Sequence, residues 1–310
     1  MSHTHRFNRE LDRVRLRAML AVERASADPD DEVVARLGHQ LVTLEDELAD
    51  VHEDDRGRLL AWRLGLEDVD LELLWTVVAA SIDPLLVTHL AVLGGRDSFR
   101  GATLRVHAAI WELTGEQARA LAVRLAGAHP LIHDHVLAWT SDATLPTRTL
   151  AAAPRTITWL AGDEALDAAL LGAASVLPEQ DVVLDSRLYE SLLTTPAPLV
   201  LVEGALDLAV LPAAARKVGR EVIALDPRYL THDALEAALI GLRRECRLRE
   251  ALPLVLHLDD LQRDPQALRA VTAAIATMPG PVAAMVPQRG FALAVSRPTI
   301  HVSVDPTTRS

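Results

Sequence analysis

Three apolar residues occupy positions where a nucleotide-binding chain needs phosphate chemistry. A phosphate-binding loop reads G-x-x-x-x-G-K-[ST] after a strand: its backbone N–H groups hold phosphate, its lysine reaches the terminal phosphates and its hydroxyl binds Mg²⁺. Here the apolar run 199–202 ends just before Gly204. Counting from Gly204, the second glycine position is Ala209, and the lysine and hydroxyl positions are Val210 and Leu211. We therefore predict a degenerate loop without the groups that bind ATP and Mg²⁺ as cofactors.

Two neighbouring carboxylates, Asp259 and Asp260, close another apolar run, residues 254–258, about fifty residues further along the chain. In phosphoryl-transfer sites an aspartate of this kind holds Mg²⁺, and a nearby residue orients the attacking water. Asp259 would then be the metal ligand, and Asp260 would replace the usual glutamate. Two interpretations stay open: a weak ATP–Mg²⁺ site, or two acidic residues that cap a buried strand. We favour the second, because the lysine and the hydroxyl are missing.

The elements that would position these residues alternate between strand and helix. Residues 178–310 are therefore predicted to form an α/β P-loop-type domain with a parallel sheet. A polar residue is expected after the fourth strand, where Gln288 stands, and Arg289 and Arg309 are candidate arginines for a neighbouring subunit. The predicted strands are 199–202, 221–225, 254–258, 282–286 and 299–304, and the predicted helices are 184–193, 209–218, 232–250 and 265–278.

The first 177 residues are predicted to be mainly helical. Residues 1–56 have the pattern of two amphipathic helices joined by a turn, a hairpin that packs on the next domain or binds a partner. Residues 57–177 have several helices followed by short strands, an order typical of winged-helix domains. The predicted strands of this winged-helix-like domain are 131–139, 148–150 and 156–160.

A winged-helix domain can place one helix in the DNA major groove. The candidate recognition helix, residues 103–113, has only Arg105 and His107 as basic residues. A DNA-reading helix usually presents more Arg, Lys, Asn or Gln, so we predict contact with protein rather than with nucleic acid. His133 and His135 would share one strand face, but no third metal ligand is identifiable, and surface histidines are favoured. The five tryptophans all lie between residues 57 and 177, and their apolar neighbours favour core packing.

Composition narrows the classes of function. The 310 residues carry a formal net charge of −12, which disfavours generic binding to nucleic acid or to anionic membranes. Lys217 is the only lysine and Cys246 the only cysteine, so one chain can form neither a disulfide framework nor a cysteine-rich metal site. The N-terminus lacks an apolar signal core, and the longest apolar tract is interrupted by Glu203 and Asp207. We expect a cytoplasmic protein without a membrane span.

Two segments before the degenerate loop carry a family resemblance. They are Leu-Glu-Asp-Val-Asp-Leu-Glu-Leu-Leu-Trp at residues 66–75 and the turn Ile82-Asp83-Pro84. The layout resembles the N-terminal half of large bacterial AAA+ ATPases associated with phage-tail-like contractile injection systems. In that family a winged-helix-type region precedes a decayed AAA+ domain, and an intact AAA+ domain follows. The resemblance implies protein partners from such particles and a homo-oligomer. No lid and no second ATPase domain follow here, so we expect a fragment or a shortened relative.

Three functional hypotheses follow from these features. The first is a non-catalytic scaffold or partner-binding region that acts in the assembly or remodelling of a contractile injection particle. The second is a weakly active ATP-binding protein that uses Asp259 and Asp260. The third is a winged-helix DNA-binding regulator, which the acidic composition disfavours.

Overall fold

A computed structural model of the chain describes residues 3–49, 55–94, 101–179, 186–204, 208–287 and 289–303. Packing divides the chain into two compact units, Met1–Glu164 and Ala165–Ser310. The architecture is mixed α/β, as predicted. Residues 165–177, which the sequence grouped with the helical domain, lie in the second unit, because the strand Ala174–Val176 pairs with a strand of that unit.

The first unit consists of helices around a small antiparallel sheet. Its strands are β1 (Ala102–Thr103), β2 (Leu137–Trp139) and β3 (Thr149–Ala152), in the order β1-β3-β2. Its helices are α1 (His3–Arg24), α2 (Asp31–Ala49), α3 (Arg56–Leu64), α4 (Asp68–Ile82), α5 (Pro84–Gly94), α6 (Leu104–Ile110), α7 (Gly115–Ala126), α8 (Pro130–His133) and α9 (Pro154–Leu160).

Two predicted strands of this unit are wrong over most of their length. The segment 131–139 begins as α8, and only its last three residues form β2. The segment 156–160 lies within α9. Pro130 and Pro154 explain both errors, because each starts a helix at a position where the missing proline N–H has no intrahelical partner to lose.

The centre of the first unit is α4, an apolar helix that is buried along most of its length. Leu73, Leu74 and Val77 are fully buried, and Trp75 is 2% exposed. Among the described residues no single helix is long and apolar enough to cross a membrane; α4 and α5 pass that test only together, with a bend of 118° between them. The bend at Asp83 is stabilised locally, because its carboxylate accepts hydrogen bonds from the first N–H groups of α5.

The second unit is a six-stranded sheet between two layers of helices. The strand order is β4-β6-β7-β8-β5-β9, in which only the edge strand β4 runs antiparallel to its neighbour. The strands are β4 (Ala174–Val176), β5 (Leu199–Glu203), β6 (Val222–Leu225), β7 (Leu252–Val255), β8 (Val282–Val286) and β9 (Thr299–Ser303). The helices are α10 (Ser186–Leu192), α11 (Val210–Lys217), α12 (His232–Arg249) and α13 (Pro265–Thr277).

Side chains of β5 alternate between two apolar cores, one on each face of this sheet. Leu199 and Leu201 pack in a core with residues of α12 and α13. Val200 and Val202 pack in the opposite core with residues of α10 and α11. The short apolar runs in the sequence are therefore central strands buried on both sides, as parallel sheets require.

The strand predicted at 254–258 is displaced in the structure. β7 begins at Leu252 and ends at Val255, although the apolar run continues through Leu258. Leu258 is fully buried, but it lies in a 3₁₀ turn, Leu258–Arg263. His257, with φ +51°, turns the chain out of the extended conformation. Hydrophobicity marked the burial of this segment correctly and its backbone conformation incorrectly.

Cys246 lies on the buried side of α12. The residue is 4% exposed and belongs to the core that contains Leu199 and Leu201. Burial, and secondly the neighbouring charge of Glu245, raise the pKa of this thiol above its ordinary range. A thiol that stays protonated and covered is a poor nucleophile and a poor metal ligand.

A buried ion cluster attaches α1 to the rest of the first unit. Arg6 approaches Asp55 at 3.0 Å and Glu10 at 3.7 Å, and it donates a hydrogen bond of 2.7 Å to the carbonyl of Leu48. The Arg6 and Asp55 side chains are 7% and 4% exposed. Asp55 also accepts a hydrogen bond from the N–H of Arg58, which makes it the N-cap of α3. One guanidinium thus connects α1 with the end of α2 and the start of α3.

We predict that Arg6→Met destabilises the first unit by about 3–5 kcal/mol, because among the described residues the buried Asp55 then keeps only the exposed Arg58 as a cation, at 3.5 Å, and Glu10 keeps only Arg13. Urea unfolding followed by tryptophan fluorescence measures this unit alone, since all five tryptophans lie before residue 165. Arg9→Met is the matched control: the Arg9–Glu47 pair is 30% and 45% exposed, so its loss should cost less than about 1 kcal/mol. Equal effects of the two substitutions would contradict the prediction.

Candidate functional site

Ligands of open α/β sheets bind beyond the carboxyl ends of the strands, where the connections of two neighbouring strands leave in opposite directions. In the second unit this point lies between β5 and β8. The chain leaves β5 toward β6, across β8 and β7, whereas it leaves β8 toward β9, across β5. The residues at the ends of β5 and β8 are therefore the first place to examine for a site.

The degenerate loop positions lie beside this point. Gly204 follows β5 with φ +104°, a conformation that favours glycine, and α11 begins at Val210, directly after Ala209. Residues 205–207 lie outside the described part of the chain. Val210 and Leu211 are 9% and 0% exposed, and both belong to the core under α11. The side chains at the lysine and hydroxyl positions therefore serve packing.

Lys217 cannot take the place of the missing lysine. It occupies the last turn of α11, seven residues after Val210. At a rise of 1.5 Å per residue this is about 10 Å along the helix axis, away from the carboxyl edge of the sheet. Its ammonium group lies 5.9 Å from the ring centre of Tyr189. The residues present therefore do not fit an ATP–Mg²⁺ group at this loop.

Asp259 and Asp260 lie in the 3₁₀ turn after β7 and not at the strand end itself. Asp260 is exposed, and one of its oxygens is 3.7 Å from the guanidinium of Arg228. Oδ1 of Asp259 is buried and accepts no hydrogen bond from any described residue. Within the described ranges, no three His, Cys, Asp or Glu side chains converge as metal ligands require. A metal at Asp259 stays a prediction.

A second carboxylate next to this turn is already compensated. Asp226, at the end of β6, receives two hydrogen bonds from the Arg228 guanidinium, of 3.0 and 2.8 Å, and one from the Arg228 N–H. The pKa of Asp226 is lowered, because these bonds outweigh the opposing effect of its partial burial. Arg228 thus contacts both Asp226 and Asp260. It connects the segment that follows β6 with the turn that follows β7.

Glu203 is the residue of this edge that the sequence analysis undervalued. It ends β5, is 7% exposed, and accepts hydrogen bonds from Nδ1 of His301 at 2.7 Å and from the N–H of Gly290 at 3.2 Å. The His301 bond is the main cause of the lowered pKa of Glu203. In the sequence Glu203 only interrupts an apolar tract. A charged residue at the end of a strand that is buried on both faces was the signal that Glu203 has a partner.

Of the three other predicted site residues near this edge, the structure describes only Arg289. Arg289 is exposed and lies next to Gly290. Gln288 and Arg309 lie outside the described residues. The structure therefore brings Gly204, Glu203 and His301 to one place on the edge, and Asp226, Arg228 and Asp260 to another.

The candidate DNA-reading residues of the first unit do not form a reading surface. Helix α6 is shorter than predicted, and Arg105 is exposed while His107 is fully buried. Nδ1 of His107 lies 3.1 Å from the hydroxyl of Thr76, which also accepts a hydrogen bond from the indole of Trp111. Burial lowers the pKa of His107 to about 3. A neutral, enclosed imidazole cannot contact a base or a phosphate.

The predictions for two histidines and for one tryptophan of the first unit are wrong. His133 ends α8, and His135 follows in a turn with φ +56°, so the pair does not share a strand face. Trp75, Trp111 and Trp159 are buried as predicted, whereas Trp62 is 71% exposed. Leu60 and Leu64, four residues apart, form the buried side of α3, and Trp62 lies midway between them on the outer side.

Comparisons of the chain with protein-family models, with curated proteins and with solved structures found no match.

We predict that His107 makes the first unit sensitive to acid. Its pKa is about 3 in the folded unit and about 6.5 when unfolded, so folding is unaffected above pH 6.5 and weakens as the pH falls toward 3. By pH 4 the loss attributable to this histidine is about 3 kcal/mol. Urea unfolding between pH 7 and pH 4 should show a flatter pH dependence for His107→Leu.

The exposed His39 on α2 provides the control for this measurement. His39→Leu should keep the wild-type pH dependence. Parallel curves for the wild type and His107→Leu would show that this imidazole is not held neutral by its surroundings.

Proposed function

We propose that the chain is a non-catalytic scaffold that binds protein partners, and that its α/β unit has the frame of a nucleotide-binding domain without the chemistry. The observation that carries the proposal is the burial of Val210 and Leu211 in the core under α11. A charge-assisted hydrogen bond to a phosphate contributes about 1.5–3 kcal/mol, and both positions that normally supply such contacts are apolar. The sequence resemblance favours partners from a contractile injection particle.

Exposed apolar side chains in the first unit support a binding role. Trp62 on α3 is 71% exposed, and the half-buried Leu59, three residues earlier, lies on the same side of this helix. Tryptophan is enriched among residues that dominate the energy of protein interfaces. The outer side of α5 adds Leu85 and Val92, which are both 66% exposed.

The unsatisfied oxygen of Asp259 favours one alternative, a weak ATP-binding activity. A buried carboxylate oxygen without a donor can accept a cation, and Asp260 follows it directly. In this alternative Mg²⁺ would bring the nucleotide to the 3₁₀ turn, with no contribution from the loop after β5.

We expect isothermal titration with ATP and Mg²⁺ to show no binding and no turnover by the wild-type chain, because the lysine and hydroxyl positions are apolar. Asp259→Ala should behave like the wild type. Micromolar binding that is lost in Asp259→Ala and kept in Asp233→Ala, which alters an exposed aspartate of the same unit, would replace the scaffold proposal with the alternative.

We also predict that Trp62→Glu weakens binding to purified contractile particles by at least about tenfold, since an interface tryptophan commonly accounts for 2 kcal/mol or more. Co-sedimentation of the full chain with the particles measures this. Val42→Glu is the control, because Val42 is an isolated apolar side chain on α2 that is 56% exposed. Equal binding of both variants, or no binding by the wild type, would contradict this choice of surface and partner.

A further inference from the structure

The strand β9 forms an edge of the six-stranded sheet. Among the described residues it pairs only with β5. The N–H of Leu199 donates to the carbonyl of Pro298 at 2.8 Å. This bond determines which residues of β9 direct their backbone groups toward β5. Ile300 and Val302 then direct their backbone groups toward β5, whereas Thr299, His301 and Ser303 direct theirs outward.

Within the described part of the chain, this edge lacks the features that usually prevent strand pairing. Natural edge strands are protected by lysines, prolines, bulges or a covering segment. The sequence Thr-Ile-His-Val-Ser of β9 contains no lysine and no proline. His301 is bonded to Glu203 of β5, so its side chain is held over the sheet and away from the edge. The opposite edge strand, β4, has only three residues.

A groove of about 360 Å³ runs along the outer side of β9. One wall is the strand itself, residues 300–303, and the other is the outer side of α10. The wall from α10 is polar. It contains one positive side chain, Arg187, and one negative side chain, Glu190, three residues apart. An extended backbone that enters this groove would meet backbone donors and acceptors on one side and polar side chains on the other.

We propose that the occupant of this edge is β9 of a second copy of the chain, paired antiparallel across a two-fold axis, so that two sheets continue into one. In a register centred on His301, Thr299 of each copy lies opposite Ser303 of the other. Every outward N–H and C=O of these three residues then has a partner, because opposed residues of a hydrogen-bonded pair exchange two bonds. An isologous contact of this kind closes after two chains.

Charge complementarity on α10 selects a second copy as the occupant. A two-fold axis perpendicular to the sheet keeps both α10 helices on the same face and makes them antiparallel. Arg187 of one copy then faces Glu190 of the other, and the reverse contact is formed by symmetry. If positions 187 and 190 carried charges of the same sign, the two α10 helices would repel each other. Such repulsion would add to that of two chains that each have a net charge of −12.

Sedimentation velocity of the full chain at high micromolar concentrations tests the proposal, with an expected dimer of twice 33.6 kDa. Arg187→Glu places like charges opposite each other and should raise the dimer dissociation constant by at least about tenfold. The double variant Arg187→Glu/Glu190→Arg restores opposite signs and should recover the wild-type constant. A purely structural role of Arg187 would not be rescued by this exchange.

Thr299→Pro provides an independent variant. It removes an outward N–H and no bond to β5, so it should yield a monomer with an unchanged far-UV circular dichroism spectrum. A monomeric wild type would overturn the proposal, as would a dimer that persists in both Thr299→Pro and Arg187→Glu, or a double variant that fails to recover. These outcomes do not depend on nucleotide or particle binding, so the proposed function can fail while the dimer stands.

Discussion

Removal of both faces of β5 from water is the constraint on which the α/β unit depends. All five of its residues are buried, and the first four alternate between two apolar cores. A strand buried in this way needs a helical layer on each side, so α10 and α11 cover one face and α12 and α13 cover the other. The first turn of α11 therefore has to supply apolar surface. Val210 and Leu211 meet this requirement at the two positions that phosphate binding would claim.

Charges in both units are compensated close to where they are buried. Asp70 in the first turn of α4 accepts a hydrogen bond from the N–H of Glu67 and is paired with Arg124 at 2.8 Å and His129 at 3.3 Å. These partners outweigh its burial and lower its pKa. Glu203 is treated in the same way at the end of β5. The carboxylates of Asp70 and Glu203 are therefore both engaged by groups of the same chain.

The sequence predicted the central strands well because their residues answer to one constraint, burial on two faces. The strand 282–286 has the predicted bounds, and β5 extends one residue further than expected. The error at β7 has the opposite cause. Leu256 and Leu258 continue the apolar run, but a 3₁₀ turn buries Leu258 as effectively as a strand would. Hydrophobicity records whether a side chain is covered, and it does not record the conformation that covers it.

Site residues were harder to predict than strands, because their partners are distant in sequence. Glu203 and His301 are 98 residues apart, and only the pairing of β5 with β9 brings them together. Trp62 illustrates the same limit within one helix. Its apolar neighbours suggested burial, but the Leu60 and Leu64 spacing alone determines which side of α3 faces the core. The proline-initiated helices α8 and α9 were missed because β-branched and aromatic residues favoured strands.

The position of Cys246 gives the two units separate built-in reporters. The thiol is the only one in the chain and is enclosed in the core under α12, whereas every tryptophan lies in the other unit. An alkylating reagent can reach this sulfur only when the α/β core opens, so the rate of modification measures the opening equilibrium of that core. Emission from the indoles responds to the helical unit instead. The stability of each half can thus be followed in the intact chain without an added label.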